Sequence, residues 1–304
     1  MTNYIEQHGT TLEFLSGNSW VILNPIEKRI NEKIENVGVS LKDWDISINY
    51  GIKTGCNEAF IIDKTKRDEI IAKDKRSAEI IRPILRGRDI ARYQAIFADL
   101  YLINTHNGTP LKNIPPIDIK NYPAIKEHLD KYWSKIKDRD DQGGTPYNLR
   151  SCAYMDDFSK QKIVWARLMR ISRNDADDFP RFSLIPKEYF VVDSLCFFTG
   201  NDLLYLQGIL NSEFAMYYFF NNIAILDDGG MQMRQQYVEL IPIPCVNIAK
   251  KQKISELVLI LNKNKNSQIE NELNEMVYSL YNFDEKEIQQ IRHFIQEKLT
   301  IIKG

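Results

Sequence analysis

Arginine, lysine and carboxamide side chains carry most of the chemistry this sequence offers. Residues 64–92 hold ten basic groups (Lys64, Lys66, Arg67, Lys73, Lys75, Arg76, Arg82, Arg86, Arg88 and Arg92) against five acids. Residues 150–187 hold eight against five. The whole chain of 304 residues nonetheless carries 40 Lys and Arg against 41 Asp and Glu, a net charge of −1. The acidic compensation therefore lies elsewhere, as in a protein with one positive face. Phosphates are drawn to such a face by counterion release, independently of base sequence. The competing reading is a solvated helix laced with i,i+4 ion pairs.

Three loop-like segments add side chains that can read base edges. They are residues 142–150 (QGGTPYNLR), 167–174 (RLMRISRN) and 231–236 (MQMRQQ). Arginine pairs with guanine O6 and N7, and Gln or Asn with adenine N6 and N7. Gln142, Asn148, Arg150, Arg167, Arg170, Arg173, Gln232, Arg234 and Gln235 are the candidates, with Arg86, Arg88 and Arg92 as phosphate contacts. Each segment also reads as a plain polar loop, and Arg167 or Arg170 as a partner of Asp156 or Asp157. In the turn 51–55 (GIKTG), backbone N–H groups with Lys53 and Thr54 suit a phosphate. A hairpin turn between strands at 44–50 and 59–63 explains the same residues.

Missing motifs narrow the field. There is no GxGxxG or GxxxxGK[ST] loop, no GxSxG elbow and no Asn/Asp-Pro-Pro-Tyr segment. The four cysteines (56, 152, 196, 245) form no CxxC pair, and the four histidines are scattered. No catalytic residue and no metal ligand is assigned. An enzyme alternative survives as a nuclease with dispersed acids such as Asp138, Asp140 and Asp141. A protein-binding adaptor built on the helical tail is a third reading. The first residues lack a basic start followed by an apolar run, and the most apolar stretch, 214–226, is short and interrupted by Asn221 and Asn222. No membrane span and a reducing cytoplasm are expected.

Positioning these side chains requires a scaffold, and the pattern predicts a mixed α+β body followed by a helical region. Pro25 with Ile26, Ile30 and Ile34 predicts an N-terminal helix. Alternation predicts strands at 44–50, 59–63, 99–103, 162–168, 189–192, 195–199 and 237–241. Helices are expected over 66–81, closed by Pro83, and over 125–136 and 203–220. After Pro244 the chain has no proline or tryptophan, and apolar stripes predict helices there, the last opened by an Asp284/Glu287 capping box. The expected boundaries are 1–40 (lead-in and helix), 41–247 (body) and 248–304 (helical tail).

Several pieces, taken in order, resemble a known family. They are 51–60 (GIKTGCNEAF), 81–90 (IRPILRGRDI), 162–165 (KIVW), 190–194 (FVVDS), 206–212 (LQGILNS) and 240–244 (LIPIP). Together they resemble the TaqI-like C-terminal specificity domain of type IIG, Eco57I-like adenine-specific DNA methyltransferase–restriction enzymes. The LNS and PIP pieces are also similar to target-recognition domains of type I specificity subunits. The resemblance covers about residues 40–245. It implies a DNA target-recognition domain that acts on double-stranded DNA in a restriction–modification system. A separate methyltransferase or endonuclease domain or subunit would do the chemistry and carry S-adenosylmethionine. The present chain would hold no cofactor. The resemblance hands over no base contact, because specificity differs between members. It also implies that the helical tail connects to a methyltransferase or to a second recognition unit.

Overall fold

The computed structural model describes residues 24–109, 112–171, 178–226 and 229–303. The chain enters through helix α1 (Pro25–Val37), which Asn24 and Glu27 open with a reciprocal capping box and Pro25 in the first turn. Strand β1 (Gly38–Ser40) follows, then β2 (Ile46–Tyr50), α2 (Asn57–Phe60), β3 (Ile61–Asp63), α3 (Lys64–Lys73), β4 (Ile81–Leu85) and β5 (Leu100–Ile103). Next come α4 (Pro123–Asp130), α5 (Trp133–Ile136), β6 (Lys162–Ala166), β7 (Met169–Arg170), β8 (Ser183–Ile185), β9 (Phe190–Val191) and β10 (Leu195–Gly200). The last stretch holds α6 (Leu203–Leu210), α7 (Glu213–Asn222), β11 (Gly230–Met231), α8 (Gln235–Val238), β12 (Pro242–Pro244), α9 (Ile248–Leu261), α10 (Ser267–Leu280) and α11 (Glu285–Lys303).

Two four-stranded sheets form the body. One is antiparallel in the order β2-β10-β6-β8; the other runs β3-β5-β4-β9, with β4 and β9 parallel. β10 lies between two partners, and residues 195–199 are all buried, which explains their unbroken apolar run. Two smaller ladders, β1-β12 and β11-β7, tie distant segments together.

The helical region packs directly on this body. α6 is buried almost all round and lies against α9, while α11 packs on both α7 and α1. At the α6–α9 crossing a Cβ on Gly208 would stand 2.8 Å from Ile254 Cγ2 and 2.9 Å from Val258 Cγ2. Only glycine permits that approach. The capping box expected at α11 is present: Glu287 N–H donates to Asp284 and Asp284 N–H to Glu287. Glu287 is fully buried and also takes Lys33 at 2.6 Å, fastening α1 to α11. No described helix is long and apolar enough to cross a membrane.

Several expected elements differ. The 59–63 strand begins only at Ile61, after a helical turn over 57–60. The helix expected over 66–81 is α3, which ends at Lys73 where Asp74 starts a 3-10 turn. Pro83 does not close that helix. It lies inside β4, whose other neighbour β9 pairs only from Ile84 onward. The expected helix over 203–220 breaks at Asn211 and restarts with Ser212 as N-cap. The one over 125–136 likewise divides into α4 and α5. Residues 235–238 form a helical turn where a strand over 237–241 was expected, because the Arg234 carbonyl accepts from the Tyr237 and Val238 amides.

Candidate nucleic-acid interface

The turn 51–55 is not a hairpin. β2 and β3 belong to different sheets, and the turn carries the chain from one to the other. It runs beside the 191–195 turn: Gly51 N–H donates to Leu195 O, Ile52 N–H to Val191 O and Asp193 N–H to Ile52 O. A Cβ on Gly51 would lie 2.0 Å from Val192 O, so this docking requires glycine. Lys53 is thereby carried to the rim of a cleft of about 750 Å³.

That cleft is lined by cations from four separate stretches of chain. They are Lys53, Arg150, Arg167 and Arg234, with Tyr50, Tyr154, Gln236 and Asp193 among the other walls. Arg167 follows β6 and donates to Asp193 O at 2.9 Å, its guanidinium lying 5.5 Å from the Tyr50 ring centre. It does not pair with Asp156 or Asp157, which take Lys112 and Lys160 instead. Arg234 caps α8 and is exposed. Its loop is held by the β11-β7 ladder and by the fully buried Trp165, whose indole N–H donates to Met233 O at 2.8 Å. Arg150 leaves a loop folded around the buried Arg139, whose guanidinium reaches the carbonyls of Ile136, Asp141, Pro146 and Asn148. Arg139 also stacks 4.5 Å from the Phe60 ring centre. Sequence reasoning missed Arg139. It lies beside three acids in a polar stretch and looks like one more surface charge.

On the far side of the 192–194 turn is a second, shallower cleft bearing Arg86 and Arg88. Arg86 forks onto Asp89, with contacts of 3.1 and 2.9 Å, and Asp89 also accepts the Arg86 backbone N–H. The carboxylate raises the Arg86 pKa further above its ordinary value, so the guanidinium stays charged. Arg88 is exposed.

The remaining candidates fall elsewhere. The Thr54 hydroxyl is buried and donates to Asn57 Oδ1, while accepting from the Cys56 N–H; it caps the turn and faces no cleft. Asn148 is buried, donating to Ile117 O and accepting from Thr145. Arg92 is 9% exposed; it donates to Asn211 O at 2.6 Å and faces Glu270 of α10 at 3.5 Å, so it joins the body to the helical region. Gln142 bridges Leu149 within the Arg139 loop. Gln235 donates to Glu239, and Gln232 is half-buried in the loop before Arg234. Arg170 pairs with Gly230 in the β7-β11 ladder and is exposed. Arg173 lies outside the described residues. Asp138 and Asp140 are exposed, whereas Asp141 is turned toward Lys53 and Arg150. Among the described residues no group of three or more Asp, Glu, His or Cys side chains is placed to hold a metal ion.

Residues 82–243 match the model of the family described as the TaqI-like C-terminal specificity domain. Among solved structures, the type IIL restriction-modification enzyme MmeI in complex with DNA superposes with a TM-score of 0.60 at 12% identity. That likeness covers 88% of this chain and 37% of MmeI, and is one of fold. The type IIG restriction endonuclease BpuSI gives a TM-score of 0.46 at 14% identity over 85% of this chain and 33% of its own. The chain thus spans little more than a third of the first enzyme's length. No curated protein sequence matches it.

Proposed function

Because the chain belongs to the TaqI-like C-terminal specificity domain family, we propose that it is a DNA target-recognition module of a restriction–modification system that reads duplex DNA at the Lys53–Arg150–Arg167–Arg234 cleft. One observation carries this assignment of the site: four basic side chains from segments about 100, 17 and 67 residues apart converge on a single cleft. Each is presented by backbone that buried residues hold in place. Rigid presentation is what base reading requires, because bidentate hydrogen bonds tolerate little displacement. Arg88, beyond the 192–194 turn, would follow the phosphate backbone, presented there by the Arg86–Asp89 fork. Methyl transfer or cleavage would belong to a separate domain or subunit, with S-adenosylmethionine bound there, and the whole would work in the cytoplasm on chromosomal and incoming DNA.

Selection from randomised duplexes, run on the unaltered chain and on Arg234→Ala, tests the assignment. Loss of a base-reading arginine costs about 1–3 kcal/mol at one base position and relaxes preference there. Non-specific affinity should stay nearly unchanged. Uniformly weaker enrichment with an unaltered site preference would make Arg234 a phosphate contact. Identical preference at identical affinity would remove its loop from the interface.

A further inference from the structure

Two of the four cations in the cleft are held by one carboxylate in the unbound protein. Asp141 takes Lys53 Nζ at 2.9 Å and Arg150 Nη1 at 3.4 Å. The two sides of this arrangement are unequal. Asp141 is 15% exposed, whereas Lys53 and Arg150 are 52% and 63% exposed. The backbone of Asp141 is pinned, because the buried Arg139 donates to its carbonyl and the loop closes through the Gln142–Leu149 bridge. The carboxylate is therefore the fixed partner and the two cations are the movable ones.

We infer that Asp141 is an affinity-setting residue that occupies, in the unbound protein, the place a DNA phosphate takes between Lys53 and Arg150. This rests on the reading of the cleft as a DNA site. The pairs are exposed enough that each contributes only about 0.2–1 kcal/mol, so a phosphate can displace them readily. Arg86 and Asp89 supply the contrast: their fork is bidentate and Asp89 is 5% exposed, an arrangement that does not exchange. Non-specific affinity arises almost wholly from phosphate neutralisation. A carboxylate that competes for two phosphate-binding cations lowers affinity for every sequence alike, while Arg167 and Arg234 keep their direct bonds at the correct site. Such a uniform loss leaves the ratio of specific to non-specific binding as it was and sets the absolute affinity, so that contact with non-target DNA stays weak.

Asp141→Asn removes the charge and keeps the shape. On random-sequence duplex, measured by fluorescence anisotropy over a salt series, the variant should bind roughly 2- to 30-fold more tightly at low salt, the two pairs' combined worth. The slope of log affinity against log salt should stay nearly the same, because the same phosphate is engaged with and without the carboxylate. Asp141→Glu, which keeps the charge, should behave as the unaltered chain. Unchanged or weaker affinity of a folded Asp141→Asn variant overturns the inference and leaves Asp141 a loop brace. If the Asn variant does not fold, Lys53→Gln with Arg150→Gln decides. A slope shallower by about one supports phosphate exchange, and an unchanged slope overturns it. Absence of duplex binding by the unaltered chain overturns both this inference and the reading of the cleft. Binding that Arg234→Ala perturbs and Asp141→Asn does not overturns this inference alone.

Discussion

Lys162 is an ammonium group wholly removed from solvent, donating to Phe158 O at 2.9 Å and Tyr189 O at 3.1 Å. Burial lowers its pKa from 10.5 to about 8, against the opposing pull of Glu188 and Asp157. Between pH 8 and 10.5 the unfolded chain keeps this proton and the folded chain has shed it. Stability from this residue therefore rises with pH across that window, by up to roughly 3 kcal/mol in total. The buried Cys196 thiol, pushed up to about 12, works in the opposite sense above pH 9. Comparison with Lys162→Met isolates the lysine, since the cost of two unpaired carbonyls does not vary with pH. Denaturant unfolding at pH 7.5, 9 and 10 should show stability of the unaltered chain rising relative to the variant. A flat difference would mean that water or a local opening keeps the ammonium solvated. The same residue shows why single positions are hard to read from sequence. Lys162, Thr54, Asn148, Arg92 and Arg139 are polar by type and would be placed at the surface. Four of them are instead buried, and Arg92 nearly so, to satisfy backbone carbonyls or amides that irregular segments leave unpaired.

At the scale of elements, the motif 206–212 is a joint. Gln207 is fully buried and exchanges hydrogen bonds with Asn262 beyond the end of α9. Asn211 exchanges a pair with the Phe182 backbone, a side chain imitating a strand neighbour. Tyr205 and Tyr281 both donate to the PIP strand, at Pro244 O and Pro242 O. Gly208 sets how near α6 and α9 come, so Gly208→Val must force them apart. It should cost about 3 kcal/mol, as overpacking at a helix crossing does, and be read as a lower midpoint in thermal unfolding. An unchanged midpoint would show that the crossing yields without loss. This explains what was legible in the sequence. The residues that carry the family resemblance (162–165, 190–194, 206–212, 240–244) build the scaffold; apolar pattern also gave β6, β9 and β10 close to their observed limits, and the apolar stripes expected after Pro244 fall on helices α9 and α10. The errors fell where pattern is weak: the break at Asn211–Ser212, the helical turn before β3, the strand around Pro83 and the turn at 235–238. All are fixed by caps or by long-range pairing, which a local window does not contain. The four cations were legible as residues, but their meeting at one cleft was not. That depends on the 51–55 segment crossing between sheets, where a hairpin was the local reading.

For the whole molecule, the charge that matters is the part left facing outward after internal pairing. The dense basic run 64–92 looks uniform in sequence, yet the fold divides it. Lys66 and Lys73 pair with Glu69 and Glu127 on the surface of α3 and α4. Arg82 spends its guanidinium on the carbonyls of Ala78, Glu79 and Ile81. Arg92 reaches across to the helical region, and Arg86 shapes the turn that presents Arg88. Arg88 is exposed in the second cleft beside the 192–194 turn, where the proposed interface would use it as a phosphate contact. The salt dependence of binding should separate these roles. Arg88→Ala should make the slope of log affinity against log salt shallower by about one and weaken binding to all duplexes alike. Arg92→Ala should leave that slope unchanged. It should instead lower the unfolding midpoint, because a buried carbonyl at Asn211 loses its charged donor and Glu270 faces the gap. Both variants are measured on the same random-sequence duplex, with the unfolding transition recorded for each. A slope that falls for Arg92→Ala and not for Arg88→Ala would put the phosphate path along the joint between body and helices, away from the cleft.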